Sequence, residues 1–130
     1  MLKTVRLLYN GVWAGDLDAA PSVLHPEIVW TAIESAPDAG TRRGYTDCRA
    51  YMQDWLDDFE MEPFLIETRG TATDGQLVCD QLGTAIGKGS GVRTEIRYGA
   101  VYSFSSDGRI REIHEYATTE SALEAAGLSE

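Results

Sequence analysis

The sequence predicts one α+β domain, a curved and mainly antiparallel sheet wrapped on helices, and three observations predict it. Apolar residues recur at helical spacing through the first half of the chain. After Pro63 the pattern changes to strand-like segments separated by turn residues. The turns between those segments are too short for parallel crossovers, which need about a dozen residues or more. At 130 residues the chain fits one domain and not two. Helices gathered early and strands late place the helices on one face of the sheet. A strongly bent sheet cannot press its whole inner face against helices, so a pocket is expected between them.

Each element follows from local residues. Leu2, Val5, Leu8, Tyr9 and Val12 recur at helical spacing, so residues 2–14 read as an amphipathic helix that Gly15 ends. Asp16 is a suitable N-cap for a second short helix over 16–24, in which Pro21 sits late for a first-turn proline. Residues 27–33 are rich in strand formers. Pro37, Asp38, Gly40 and two arginines mark 34–43 as an exposed loop. Thr46 can cap a third helix, whose apolar stripe is Tyr51, Met52, Trp55, Leu56 and Phe59. Strands are expected over 64–69, 76–85, 93–104 and 109–117. Thr73-Asp74-Gly75, Gly87-Lys88-Gly89-Ser90-Gly91 and Ser106-Asp107-Gly108 separate them. The glycine-rich run lacks the lysine–serine ending of a phosphate loop, so it reads as a hairpin turn. A short helix over 119–126 closes the chain, with Gly127 as its stop.

Charge and composition exclude several classes. The formal net charge of −10 disfavours nucleic acid, whose phosphates need a basic surface, and anionic membrane surfaces. The run Asp47, Asp54, Asp57, Asp58, Glu60 and Glu62 reads as a solvated helix face. No apolar stretch approaches the roughly 18 residues of a membrane span, and the N-terminus lacks a signal peptide's apolar region. A cytoplasmic location is the expectation. Cys48 and Cys79 have neither metal-ligand nor redox spacing and read as small buried thiols.

Two stretches carry a family resemblance. Leu8-Tyr9-Asn10-Gly11 leading into Gly15-Asp16-Leu17-Asp18, then Leu24-His25-Pro26-Glu27-Ile28-Val29-Trp30, resembles the opening of SnoaL-like proteins. The ending from Asp107-Gly108-Arg109-Ile110 through Glu115-Tyr116 to Ala122-Leu123-Glu124-Ala125-Ala126-Gly127-Leu128 is similar as well. These proteins belong to the nuclear transport factor 2-like superfamily, with ketosteroid isomerase, limonene epoxide hydrolase and polyketide cyclases. The resemblance spans residues 2–128 and implies a cone-shaped, cystatin-like fold. It says less about activity, because this fold hosts unrelated functions.

Carried over position by position, most of the catalytic patterns fail. The tyrosine, aspartic acid and aspartate base of ketosteroid isomerase correspond to Leu8, Ala100 and Ala32. A slip of one residue would substitute Tyr9 for Leu8, but a helix would then turn it away by about 100°. The epoxide hydrolase resemblance places a carboxylate at Glu115, whereas its arginine and second aspartate correspond to Gln81 and Gly83, and its water-holding residues to Trp30 and Ala32. SnoaL-type cyclases use an acidic residue at the end of the sheet, a role open to Glu115. Many of them carry aspartate where this chain has Thr118.

Glu115 and His114 are the two catalytic candidates, and strand alternation leaves them as rivals. A carboxylate facing an apolar pocket loses hydration, which raises its pKa and suits a general acid or base. The bland alternative is a surface glutamate or a salt bridge to Arg111. If the register is opposite, His114 points inward and becomes the proton shuttle. A bulge between Ile110 and Ile113 would reconcile two apolar residues of opposite parity, and only the family comparison picks Glu115 and Ile113 as inward.

Gln81 and Tyr98 are candidates to orient a ligand's carbonyl or hydroxyl, or else polar groups satisfied at the core edge. Trp13, Trp30 and Trp55, with Tyr45, Tyr51 and Phe64, would supply an apolar lining, or simply pack the core. Neither metal nor other cofactor is expected, since His25 and His114 lack the partners of a metal site. The sequence thus points to a pocket for a small, mostly apolar, carbonyl- or hydroxyl-bearing molecule such as a polyketide or terpenoid fragment. Cofactor-free acid–base chemistry by Glu115 is one reading, and a non-catalytic binder or dimer-forming module the other. A homodimer through the outer sheet face, at Glu95, Arg97 and His114, is also expected.

Overall fold

The computed structural model describes residues 1–33 and 39–128. An α-helix, α1 (Leu2–Leu7), widens into a π-helical turn over Leu8–Val12. A 3₁₀ turn (Leu17–Ser22) leads to strand β1 (Leu24–Thr31). Then come β2 (Thr41–Arg43), helix α2 (Tyr45–Asp58), β3 (Phe59–Met61) and β4 (Leu65–Thr71). Three longer strands follow, β5 (Leu77–Gly87), β6 (Arg93–Phe104) and β7 (Ile110–Tyr116), and α3 (Thr119–Ala125) ends the series.

The strands form one seven-stranded sheet in the order β2-β1-β7-β6-β5, with β3 and β4 sharing the outer edge of β5. Every pairing is antiparallel except that of β1 with β7, which run parallel. The expectation of a curved, mainly antiparallel α+β sheet holds. The parallel pair joins distant parts of the chain, so no turn residue announces it.

Local differences have local causes. The first helix is not regular: Trp13 N donates to Leu8 O at 2.8 Å, the five-residue step of a π turn. That wider turn broadens the buried face, and the neighbours Leu8 and Tyr9 both lie inside with Val12 and Trp13. The expectation that a helix would turn Tyr9 away is therefore wrong. The second helix is a short 3₁₀ piece around Pro21, Asp16 caps it without a side-chain bond, and Leu24 already belongs to β1. The N-cap of α2 is Gly44, at φ 86°, rather than Thr46, and Phe59 begins a strand instead of ending the helix. Thr41–Arg43 is a strand paired with β1 rather than loop, and residues 34–38 of the expected loop lie outside the described residues.

The helices do not all gather on one face. Leu77, Cys79 and Gln81 of β5 look inward, and the core cluster on that side joins the N-terminal helix and α2. Val78 and Val101, of opposite parity, pack with Ala122 and Leu123 of α3 on the other face. The stop of α3 follows the expected pattern: Gly127 adopts φ 77°, and Leu128 N donates back to Leu123 O at 2.8 Å. Among the described residues no helix is long and apolar enough to cross a membrane.

Candidate functional site

The register of β7 decides which side chain faces the interior. Ser103 pairs with Glu112 and Phe104 with Ile110, so Arg111 is an extra residue in β7, the bulge expected between Ile110 and Ile113. Beyond it Ile113 and Glu115 point inward, and both are buried. His114 lies on the outer side, its ring stacked on Tyr116 at 4.5 Å and 11°. Of the two rival candidates, Glu115 is the one turned toward the core.

Glu115 is only 7% exposed, on the wall of a hollow of about 70 Å³. Trp13, Tyr51, Trp55, Phe64 and Tyr98 supply aromatic wall, and Ile33, Met61, Gly83, Ala85 and Ile96 supply most of the rest. Drug-sized ligand pockets run to several hundred Å³. This hollow admits a group of a few non-hydrogen atoms, smaller than a polyketide or terpenoid fragment. Aromatic side chains have filled most of the gap under the bent sheet.

Six of the expected site residues line the hollow: Trp13, Tyr51, Trp55, Phe64, Tyr98 and Glu115. Trp30, Tyr45, Gln81, Ile113 and His114 do not. Ile113 is fully buried beside Trp30, its strand partner. Tyr45 opens α2 and packs half-buried against the core edge. Trp30 is fully buried behind the wall, where its indole Nε1 donates to Glu115 Oε2 at 3.2 Å. The pairing of Trp30 with Ile113 puts Glu115 two residues further along the same face, within reach of the indole.

Gln81 is likewise behind the wall and acts through neighbours. Its Nε2 donates to the Tyr98 hydroxyl at 2.9 Å, and its Oε1 accepts from the Tyr102 hydroxyl. Tyr102 and Tyr9 hydroxyls are 2.9 Å apart. A hydroxyl has one proton to give. With that of Tyr102 directed to Gln81, Tyr9 donates in the second contact.

Burial holds all three phenols above the ordinary tyrosine pKa, and the nearby Glu115 charge raises Tyr9 and Tyr98 further. They stay protonated at neutral pH and serve as neutral hydrogen-bonding groups. Tyr9 and Tyr102 were not among the expected site residues. Tyr102 shares strand parity with Tyr98, a signal the sequence does carry.

Two further residues shape the hollow. Asn10, in the π turn, clamps Phe64 by accepting from its backbone N at 2.7 Å and donating to its O at 3.2 Å. Gly83 lets the Phe64 ring lie close, since a Cβ there would meet Phe64 Cε2 at 2.6 Å. Trp13 is the centre of the aromatic cluster, touching Tyr9, Trp30, Tyr51, Trp55 and Phe64. Its buried indole N–H has no hydrogen-bond partner among the described residues.

Comparison with known proteins agrees with this architecture. The family of SnoaL-like domains matches residues 5–113. Among curated proteins no significant sequence match is found. A protein of Mesorhizobium loti assigned to the SnoaL-like polyketide cyclases is 21% identical, with a TM-score of 0.67 over 88% of this chain and 92% of that one. The Δ5-3-ketosteroid isomerase of a Mycobacterium species is 15% identical, with a TM-score of 0.75 over 88% and 90%. A ketosteroid isomerase-like protein of Catenulispora acidiphila, in complex with trimethylamine, is 13% identical, with a TM-score of 0.71 over 96% and 92%.

Proposed function

The chain belongs to the SnoaL-like domain family, and from that premise we propose that it binds a small, largely apolar molecule in the hollow beside Glu115. The ligand's polar group, a carbonyl or hydroxyl in the leading reading, would meet the Glu115 carboxylate and the Tyr98 hydroxyl. Glu115 would then serve as the proton-transfer group of a cofactor-free isomerase- or cyclase-like reaction. The observation that carries this reading is a buried carboxylate on an aromatic wall, oriented by the Trp30 N–H. Trp30 and Gln81 are positioning residues, the first for Glu115 and the second for Tyr98. The trimethylamine held by the Catenulispora acidiphila protein supports a small organic ligand in this fold.

Turnover of a panel of small carbonyl compounds tests the reaction. The native protein should act on at least one, and Glu115→Gln should lose most of that rate. Equal rates would remove Glu115 from acid–base chemistry.

A non-catalytic binder is the second reading. The small hollow favours it, as do alanines where ketosteroid isomerase has its carboxyl groups, Ala32 and Ala100. Native mass spectrometry of protein taken from cells separates the two. A binder carries its ligand unaltered, whereas an enzyme converts it.

A further inference from the structure

We propose that the aromatic hollow prefers a small organic cation, a methylated or alkylated ammonium ion, with Glu115 as its counter-charge. The inference rests on the hollow being a ligand site and is independent of whether Glu115 moves a proton. Among the described residues, Trp13, Tyr51, Trp55, Phe64 and Tyr98 line the space beside the Glu115 carboxylate.

Their planes differ widely. Trp55 stands at 85° to Trp13 with centroids 6.2 Å apart, Tyr51 is tilted at 51° and 5.9 Å, and Phe64 stacks at 25° and 5.8 Å. Trp13 thus packs against all three rings, and each of the four contributes to the wall of the hollow. The face of an aromatic ring attracts a cation within about 6 Å, more strongly where water is excluded. In its ionised form the Glu115 carboxylate adds negative charge to the same wall. A neutral ligand would fill the space equally well but brings no charge to either.

Size and long-range field agree. A hollow of about 70 Å³ is on the scale of a methylated ammonium group rather than a ring system. The net charge of −10 favours the approach of cations over anions.

The test titrates the native protein with tetramethylammonium chloride and with tert-butanol, a neutral group of similar shape, at constant ionic strength. Calorimetry and tryptophan fluorescence follow binding. Tetramethylammonium should bind about tenfold more tightly, the scale of a desolvated cation–aromatic contact. Glu115→Gln should abolish that preference, weakening tetramethylammonium about tenfold more than it weakens tert-butanol. Trp55→Leu, which keeps the carboxylate, should weaken tetramethylammonium several-fold.

Tert-butanol binding as tightly as the cation overturns the inference and leaves the pocket reading intact. Failure of both ligands to bind overturns both. A cation preference that survives Glu115→Gln also overturns it. If circular dichroism finds Glu115→Gln unfolded, Trp55→Leu decides: unchanged tetramethylammonium affinity in that variant contradicts the aromatic cage.

Discussion

The indole N–H of Trp30 donates to the carboxylate of Glu115 at 3.2 Å, a buried bond between residues 85 apart in sequence. It ties β1 to β7, the one parallel pair among the described residues, and fixes one carboxylate oxygen on the wall of the hollow. The same contact therefore serves the fold and the site.

Trp30→Phe removes that donor while keeping an apolar ring. A lost hydrogen bond to a buried charged group costs about 1.5–3 kcal/mol, with a further loss from the smaller ring. Urea unfolding should register a decrease of that size. Adding Glu115→Gln in the same chain should cost less than it does alone, since the two residues share one interaction. Strictly additive losses would mean that the bond contributes nothing.

The thiols should be inert. Burial, with the Asp47 charge beside it, pushes Cys48 from 9.0 up to about 12, and burial pushes Cys79 equally far against a small opposing pull from Arg6. A folded-state pKa above the unfolded value gives stability that is complete below pH 9 and is lost as pH rises toward 12. Native protein at pH 8 should react with Ellman's reagent at neither cysteine, and urea should expose both. The unfolding free energy should fall between pH 9 and 11. Fast native labelling would contradict the burial of these groups.

Gly99 is the seat of α3. A Cβ there would lie 2.7 Å from Thr119 Cα and 2.9 Å from Thr118 O, backbone atoms that cannot rotate away. Gly99→Ala should destabilise the protein by about 1–3 kcal/mol through overpacking. Hydrogen exchange should accelerate in α3 before the sheet core. Wild-type stability would mean that the helix can shift freely.

The outer face is expected to join two copies of the chain, but not across the whole patch that the sequence marks. Thr118, Thr119 and Ala122 sit over Gly99, and α3 also packs on Val101, the residue paired with His114. The helix thus interrupts the patch between Arg97 and His114. Leu65, 65% exposed, and Leu82 flank Arg97 on the remaining part, where the Arg97 guanidinium bonds Asp80 at 2.8 Å. Sedimentation at micromolar concentration should give a dimer, and Leu65→Lys should convert it to monomer. A monomeric native protein removes the proposal.

Much of the fold was legible because its signals are local. Glycines at 75, 91 and 108 stand at positive φ in the turns between long strands, and residues 93–104 form a strand with the expected ends. The π turn was not legible, because its wider hydrogen bonds leave no mark on the apolar spacing of Leu8, Tyr9 and Val12. The three-residue strands β2 and β3 are too short for alternation to declare them.

In the site, the parity of Glu115 depended on the bulge at Arg111, which residue pattern alone could propose but not locate. Trp30 and Gln81 read as wall residues in the sequence because sequence assigns a face of the sheet and not a depth. Only the packed structure separates a side chain that lines the hollow from one that holds its neighbour.

Carboxyl-carbon NMR of glutamate-labelled protein, with the Glu115 resonance assigned by its absence in Glu115→Gln, tests the central claim most directly. On titration with small carbonyl compounds and with tetramethylammonium, the resonance should move in step with binding, as befits a group on the wall of the occupied hollow. A ligand that saturates the protein and leaves that resonance unmoved would place binding elsewhere and contradict the account.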